Sequence, residues 1–89
     1  MPEITLTVHH EAGLHARPAS LFIQTAAQFE SDIKVSYGGR EVNAKSILSV
    51  LTLGANQGAV VTIRAEGGDA DAALVALQAL VESNFEIEG

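Results

Sequence analysis

Residues 13–19, Gly13-Leu14-His15-Ala16-Arg17-Pro18-Ala19, place a histidine, an arginine and a proline at what reads as the opening turn of a helix. A helix start offers backbone N–H groups with no intrahelical acceptor and a partial positive charge, which together suit an anion. Pro18 costs little in such a turn, because its missing N–H would have no partner there. An imidazole immediately ahead of the turn is a candidate nucleophile. If its ring nitrogen took up a phosphoryl group, the backbone amides of Ala16 and Arg17 would hold the oxygens. Arg17 would neutralise the charge that develops during an in-line transfer. The competing reading is a plain surface histidine beside a solvated arginine, and these residues alone leave both open. The chain has no Gly-rich phosphate loop with its Lys and Ser/Thr, so a phosphoryl group would have to arrive from another protein. His9 and His10 read as exposed loop residues. A metal site joining them to His15 is a distant alternative.

The flanking segments read as a scaffold for this turn. Ile4, Leu6 and Val8 alternate with Glu3, Thr5 and Thr7, the period of a strand with one buried face. From Ala16 the period changes: Ala19, Phe22, Ile23, Ala26 and Phe29 share one helical face, which predicts an amphipathic helix ending near Phe29. Leu21 falls outside that stripe, with Arg17 and Gln24, and is expected to be exposed. Ile33, Val35 and Tyr37 alternate with Lys34 and Ser36, and Gly38-Gly39 supplies the positive φ of a tight hairpin before a partner strand over 40–43. Ser46 reads as the N-cap of a short helix that Gly54 stops. Ile47, Leu48, Val50, Leu51 and Leu53 cover too much of that helix for all to be buried. The β-branched run 60–65 predicts another strand. Asp69 then caps a last helix with Ala70, Ala73, Leu74, Leu77, Leu80 and Val81 as its buried stripe, and residues 83–89 form an acidic tail. The order βαββαβα predicts an α+β fold, with three helices on one face of a four-stranded, mostly antiparallel sheet.

At 89 residues and 47% hydrophobic content the chain suits one small domain over 1–89. With zero cysteines it has neither a disulfide framework nor a Cys-based zinc site. No apolar run approaches the roughly 20 residues that span a bilayer, and the start lacks the pattern of a signal peptide. The expectation is a soluble, cytoplasmic protein without direct membrane contact. A net charge of −6 argues against nucleic acid as a partner. The excess lies entirely in Glu66, Asp69, Asp71, Glu82, Glu86 and Glu88, whereas residues 12–29 and 42–65 hold no carboxylate. If the first helix and the Ser46 helix share a surface, it is weakly basic. A docking face is therefore expected from Leu21, Ile47, Leu48 and Leu51 with Arg17 and Lys45, complementary to acidic, apolar-ringed partners in fast, transient encounters.

The motif Gly13-Leu14-His15-Ala16-Arg17-Pro18-Ala19 resembles the active-site signature of the HPr family, the histidine phosphocarriers of the bacterial phosphoenolpyruvate-dependent sugar phosphotransferase system. Lys45-Ser46-Ile47-Leu48, running on to Leu53-Gly54, resembles that family's second signature, and the likeness covers essentially the whole chain. The resemblance implies an open-faced β-sandwich in which His15 accepts phosphate on Nδ1 from enzyme I and passes it to sugar-specific IIA domains, with Arg17 assisting. It implies a monomeric carrier with no cofactor, which forms a phosphohistidine intermediate rather than acting as a stand-alone catalyst. In Gram-positive relatives the residue matching Ser46 is phosphorylated by a dedicated kinase, giving a form that binds a transcription regulator; the resemblance thus offers regulation as a second use of Ser46 beside its role as N-cap, which accounts for a serine there by itself. Many relatives carry Asn or Ser where this chain has Ala12, a side chain that orients the histidine. Ala12 cannot do so, and the ring must be held otherwise, by backbone or water for instance. Two further readings compete. One is a regulatory binding module docking through the Ser46 helix, although members of that type lack the histidine. The other is a carrier of the nitrogen-related branch, which the ending Asn84-Phe85-Glu86 resembles.

Overall fold

The computed structural model describes residues 2–86. Seven elements follow in the expected order: β1 (Glu3–Thr7), α1 (Ala16–Ala26), β2 (Asp32–Tyr37), β3 (Arg40–Asn43), α2 (Ile47–Leu51), β4 (Val60–Glu66) and α3 (Ala70–Glu82). The strands form one sheet in the order β1-β4-β2-β3, and every neighbouring pair is antiparallel. Strand alternation sorts the two faces. Leu6 lies opposite Val61, and Val35 opposite Ile63 and Val42, so the apolar set of each strand lands on the helix side. The other face is polar. There Arg64 reaches Glu3 on one neighbouring strand and Glu41 beyond β2, each at 3.6 Å.

The helices cover the apolar face. α3 lies over β1 and β4 and packs on α1, while α2 sits against α1 and β3. Ala70, Ala73, Leu74, Leu77, Leu80 and Val81 are all buried, the stripe that the period of the last helix dictates. Phe22, Leu14, Val50 and Phe85 complete one continuous core. This is the α+β open-faced sandwich expected from the order of elements.

Four local expectations differ. α1 ends at Ala26, not near Phe29: the Gln28 and Phe29 amides bond back three residues, to Thr25 and Ala26 carbonyls at 3.2 Å, which tightens the last turn out of α geometry. Leu21 is half-buried against the core rather than exposed, because α1 is flanked by α3 on one side and α2 on the other. Asp69 occupies the N-cap position of α3 but makes no side-chain cap bond. Its carboxylate instead accepts from the Glu30 and Ser31 amides at 2.9 Å and from the Ser31 hydroxyl, tying the α1–β2 turn to α3. The Ser31 hydroxyl, with the Glu30 and Ser31 amides, holds that carboxyl below its ordinary 3.8.

The fourth difference is at the end of α3. The Asn84 amide bonds to Val81 O at 3.0 Å and the Phe85 amide to Leu80 O at 2.9 Å, a Schellman closure with Asn84 at φ +61. Phe85 is thereby turned inward and is 2% exposed, so the start of the expected acidic tail is a folded cap. Residues 87–89 of that tail lie outside the described residues.

Candidate functional site

The turn that carries His15 is assembled from both ends of the molecule. Leu14 is fully buried and its amide bonds to Ala55 O at 2.7 Å, which fixes the chain one residue before the histidine. Gly13 makes this approach possible. A Cβ there would stand 2.5 Å from Ala55 O and 2.6 Å from Asn56 Cα, and its φ of +64 disfavours other residues. His10 braces the preceding bend: its Nδ1 accepts the Ala12 amide at 3.0 Å, and its ring meets Phe85 edge-on with centroids 5.9 Å apart. His10 is thus half-buried and engaged rather than exposed. The three histidines do not converge, and among the described residues no group of three His, Cys, Asp or Glu side chains could hold a metal ion.

His15 is the N-cap residue of α1, in extended conformation, and its side chain caps no helix amide. Ala16 and Arg17 follow on the exposed surface, with Pro18 buried beneath them. Ala16 has φ +52, a left-handed conformation that costs an alanine about 1 kcal/mol. Among the described residues neither the Ala16 nor the Arg17 amide donates to a protein acceptor, and the Arg17 side chain forms no salt bridge. The ring of His15 is half-buried and its Nε2 lies 2.9 Å from Asn56 Oδ1. A side chain from outside the 13–19 segment therefore meets the ring. Asn56 was not marked by any local pattern: it is 41 residues away and stands in the loop after Gly54, where a polar residue signals only a turn.

A family model described as the PTS HPr component phosphorylation site matches residues 2–83, which contain this turn. The chain belongs to the HPr family. It is 46% identical over 85 residues to the phosphocarrier protein HPr of Xylella fastidiosa (strain Temecula1), covering 96% of each chain. It superposes on the HPr-C-His crystal structure from Thermoanaerobacter tengcongensis with a TM-score of 0.95 and 48% identity, covering 100% of both chains. A second structure from that organism, an HPr dimer, gives a TM-score of 0.79 at 48% identity, covering 98% of this chain and 100% of that one.

The second HPr signature forms α2. Ser46 is its N-cap, and its hydroxyl accepts the Ser49 amide at 3.4 Å, a long bond. The helix stops at Leu51 with Thr52 as C-cap, three residues before Gly54, since the Thr52 hydroxyl takes Ser49 O at 2.7 Å. Only Val50 of this helix is buried; Ile47, Leu48 and Leu51 are 40%, 74% and 36% exposed. Two residues expected beside them are less available. Leu21 is half-buried, and the half-buried Lys45 donates from Nζ to Phe29 O at 2.6 Å, anchoring the β3–α2 connection to the turn that follows α1. Among the described residues no helix is long and apolar enough to cross a membrane.

Proposed function

We propose that this HPr-family chain is a cytoplasmic, monomeric phosphoryl carrier acting as one domain over 1–89, which accepts phosphate from enzyme I on His15 Nδ1 and donates it to IIA domains. The observation that supports this most is the engagement of Nε2 by Asn56 Oδ1, which leaves Nδ1 as the free ring nitrogen beside an open helix start. In the step, the Nδ1 lone pair forms an N–P bond while the bond between phosphorus and the donor breaks, its electron pair leaving with the donor. The Ala16 and Arg17 amides receive the phosphoryl oxygens, and the exposed Arg17 guanidinium offsets their charge. The protein supplies position and electrostatics and needs no cofactor.

Partners dock on the exposed apolar residues of α2, Ile47, Leu48 and Leu51, with Arg17 as the cation of that face. Leu21 contributes an edge, and Lys45 shapes the face from within its bond to Phe29 O. Ser46 is the site of a regulatory phosphorylation by a kinase, and the modified form is read by a transcription regulator. A phosphate there adds about two negative charges beside Leu48 and opposes an acidic partner. Ser46→Asp is accordingly expected to slow phosphoryl uptake by His15, measured as the initial rate with enzyme I; an unchanged rate counts against this role.

The carrier reading is tested by incubating the protein with enzyme I and phosphoenolpyruvate and weighing the product. The expected result is an acid-labile gain of one phosphoryl group that His15→Ala abolishes. No gain, or a gain that survives in His15→Ala, would overturn it.

A further inference from the structure

A neutral imidazole exchanges between two tautomers and rotates about its own side-chain bonds, so a chosen nitrogen is presented steadily only when the other is held. At His15 the held nitrogen is Nε2, 2.9 Å from Asn56 Oδ1. A carboxamide oxygen only accepts hydrogen bonds, so Nε2 carries the proton and Nδ1 carries the in-plane lone pair.

The acceptor is itself mounted on fixed backbone. Asn56 O receives the Ala59 amide at 3.0 Å, and the neighbouring Ala55 O receives the Leu14 amide at 2.7 Å. Gly13 presses against Ala55 O and Asn56 Cα with no space for a side chain. Histidine and acceptor are thus carried by two segments locked together within a residue or two of each. The arrangement also responds to the chemistry. When Nδ1 forms a bond to phosphorus and the donor leaves, the ring gains positive charge and Nε2 keeps its proton. Asn56 Oδ1 then accepts from a charged donor, and such bonds are roughly twice as strong as neutral ones.

From this geometry we infer that Asn56 is the positioning residue of the site: it fixes His15 in the Nε2–H tautomer with Nδ1 free, and stabilises the ring as it becomes charged. The inference rests on the carrier reading for its consequence, but the tautomer is measurable without any transfer.

The test uses the full chain, labelled with 15N in histidine, as wild type, Asn56→Ala and Asn56→Asp. Long-range 1H–15N correlation of the His15 ring gives the tautomer, and uptake from enzyme I at limiting and saturating concentrations separates maximal rate from half-saturation. The expected wild-type spectrum shows Nε2 protonated and Nδ1 bare. In Asn56→Ala the second tautomer is expected to appear, with maximal uptake about five- to tenfold slower and half-saturation unchanged. Asn56→Asp keeps an acceptor oxygen and is expected to retain the Nε2–H form, whereas an amide that donated to Nε2 would be lost in both variants. A wild-type Nε2 without its proton, an unchanged tautomer in Asn56→Ala, or an Asn56→Asp spectrum like that of Asn56→Ala would each overturn the inference. If wild-type protein takes up no phosphoryl group, the carrier reading falls, and the spectra alone decide the role of Asn56.

Discussion

His15 draws its orientation from a residue its own segment does not contain, and the glycine two positions earlier is what permits this. Replacing Gly13 by Ala forces a Cβ into the backbone at Ala55–Asn56 and holds an L-residue at φ +64. Summing the left-handed penalty and the overpacking term, a loss of about 2–5 kcal/mol is expected. Urea unfolding measures it, and a loss below about 0.5 kcal/mol would mean that the two segments separate easily. The motif at 13–19 was readable from the sequence because its residues are contiguous and each carries a distinct chemical meaning. Asn56 was not, because the bond to His15 closes across 41 residues and depends on how the β1–α1 and α2–β4 loops meet. Lys45 shows the reverse error. A lysine in a carboxylate-free stretch reads as a free cation, but a backbone carbonyl in the turn after α1 is an equally good partner.

Among the elements, α2 owes its shape to a mismatch between length and composition. Five residues can bury one side, and Val50 takes it, which leaves Ile47, Leu48 and Leu51 outward as the sequence predicted. Leu48→Glu is therefore expected to weaken binding of enzyme I at least tenfold while moving the thermal midpoint by less than about 2 °C. Calorimetric titration and a melting curve decide it together, and a protein that unfolds would place Leu48 in the core. The α1–β2 turn and α3 are joined by Asp69, whose anchoring carboxylate no periodicity reveals. Its pKa is lower in the folded chain than the ordinary 3.8, so the folded state binds the proton less readily than the unfolded state. The stabilisation is present above the unfolded value and is lost as pH falls from there through the folded value. Asp69→Asn is expected to flatten the fall of the urea midpoint in that acid range and to leave its slope near neutrality alone. An identical acid limb in both proteins would mean that the Asp69 carboxylate does not anchor the turn.

For the molecule as a whole, the fold class followed from alternation and helical period, because both depend on spacing that each segment carries in full. Leu6, Val35, Val61 and Ile63 all turn to the helices as their parity requires, and α3 buries the stripe its period marks. What spacing did not carry were the closures between segments. Phe85 sits in a stretch that composition reads as a polar ending, yet the Schellman turn at Asn84 folds it back under α3 to meet His10. Phe85→Ala should cost about 3–5 kcal/mol, a large share of the stability of a domain this small. Urea unfolding would show it as a lowered midpoint, and a wild-type midpoint would mean that this end of the chain is not part of the core.

Transfer to His15 Nδ1, with Nε2 held by Asn56, is read out by phosphorylating histidine-15N-labelled protein with enzyme I and phosphoenolpyruvate and recording 31P–15N couplings. The expected spectrum shows a one-bond coupling from phosphorus to His15 Nδ1, with the proton still on Nε2. Phosphorus coupled to Nε2, or to His9 or His10, would contradict it.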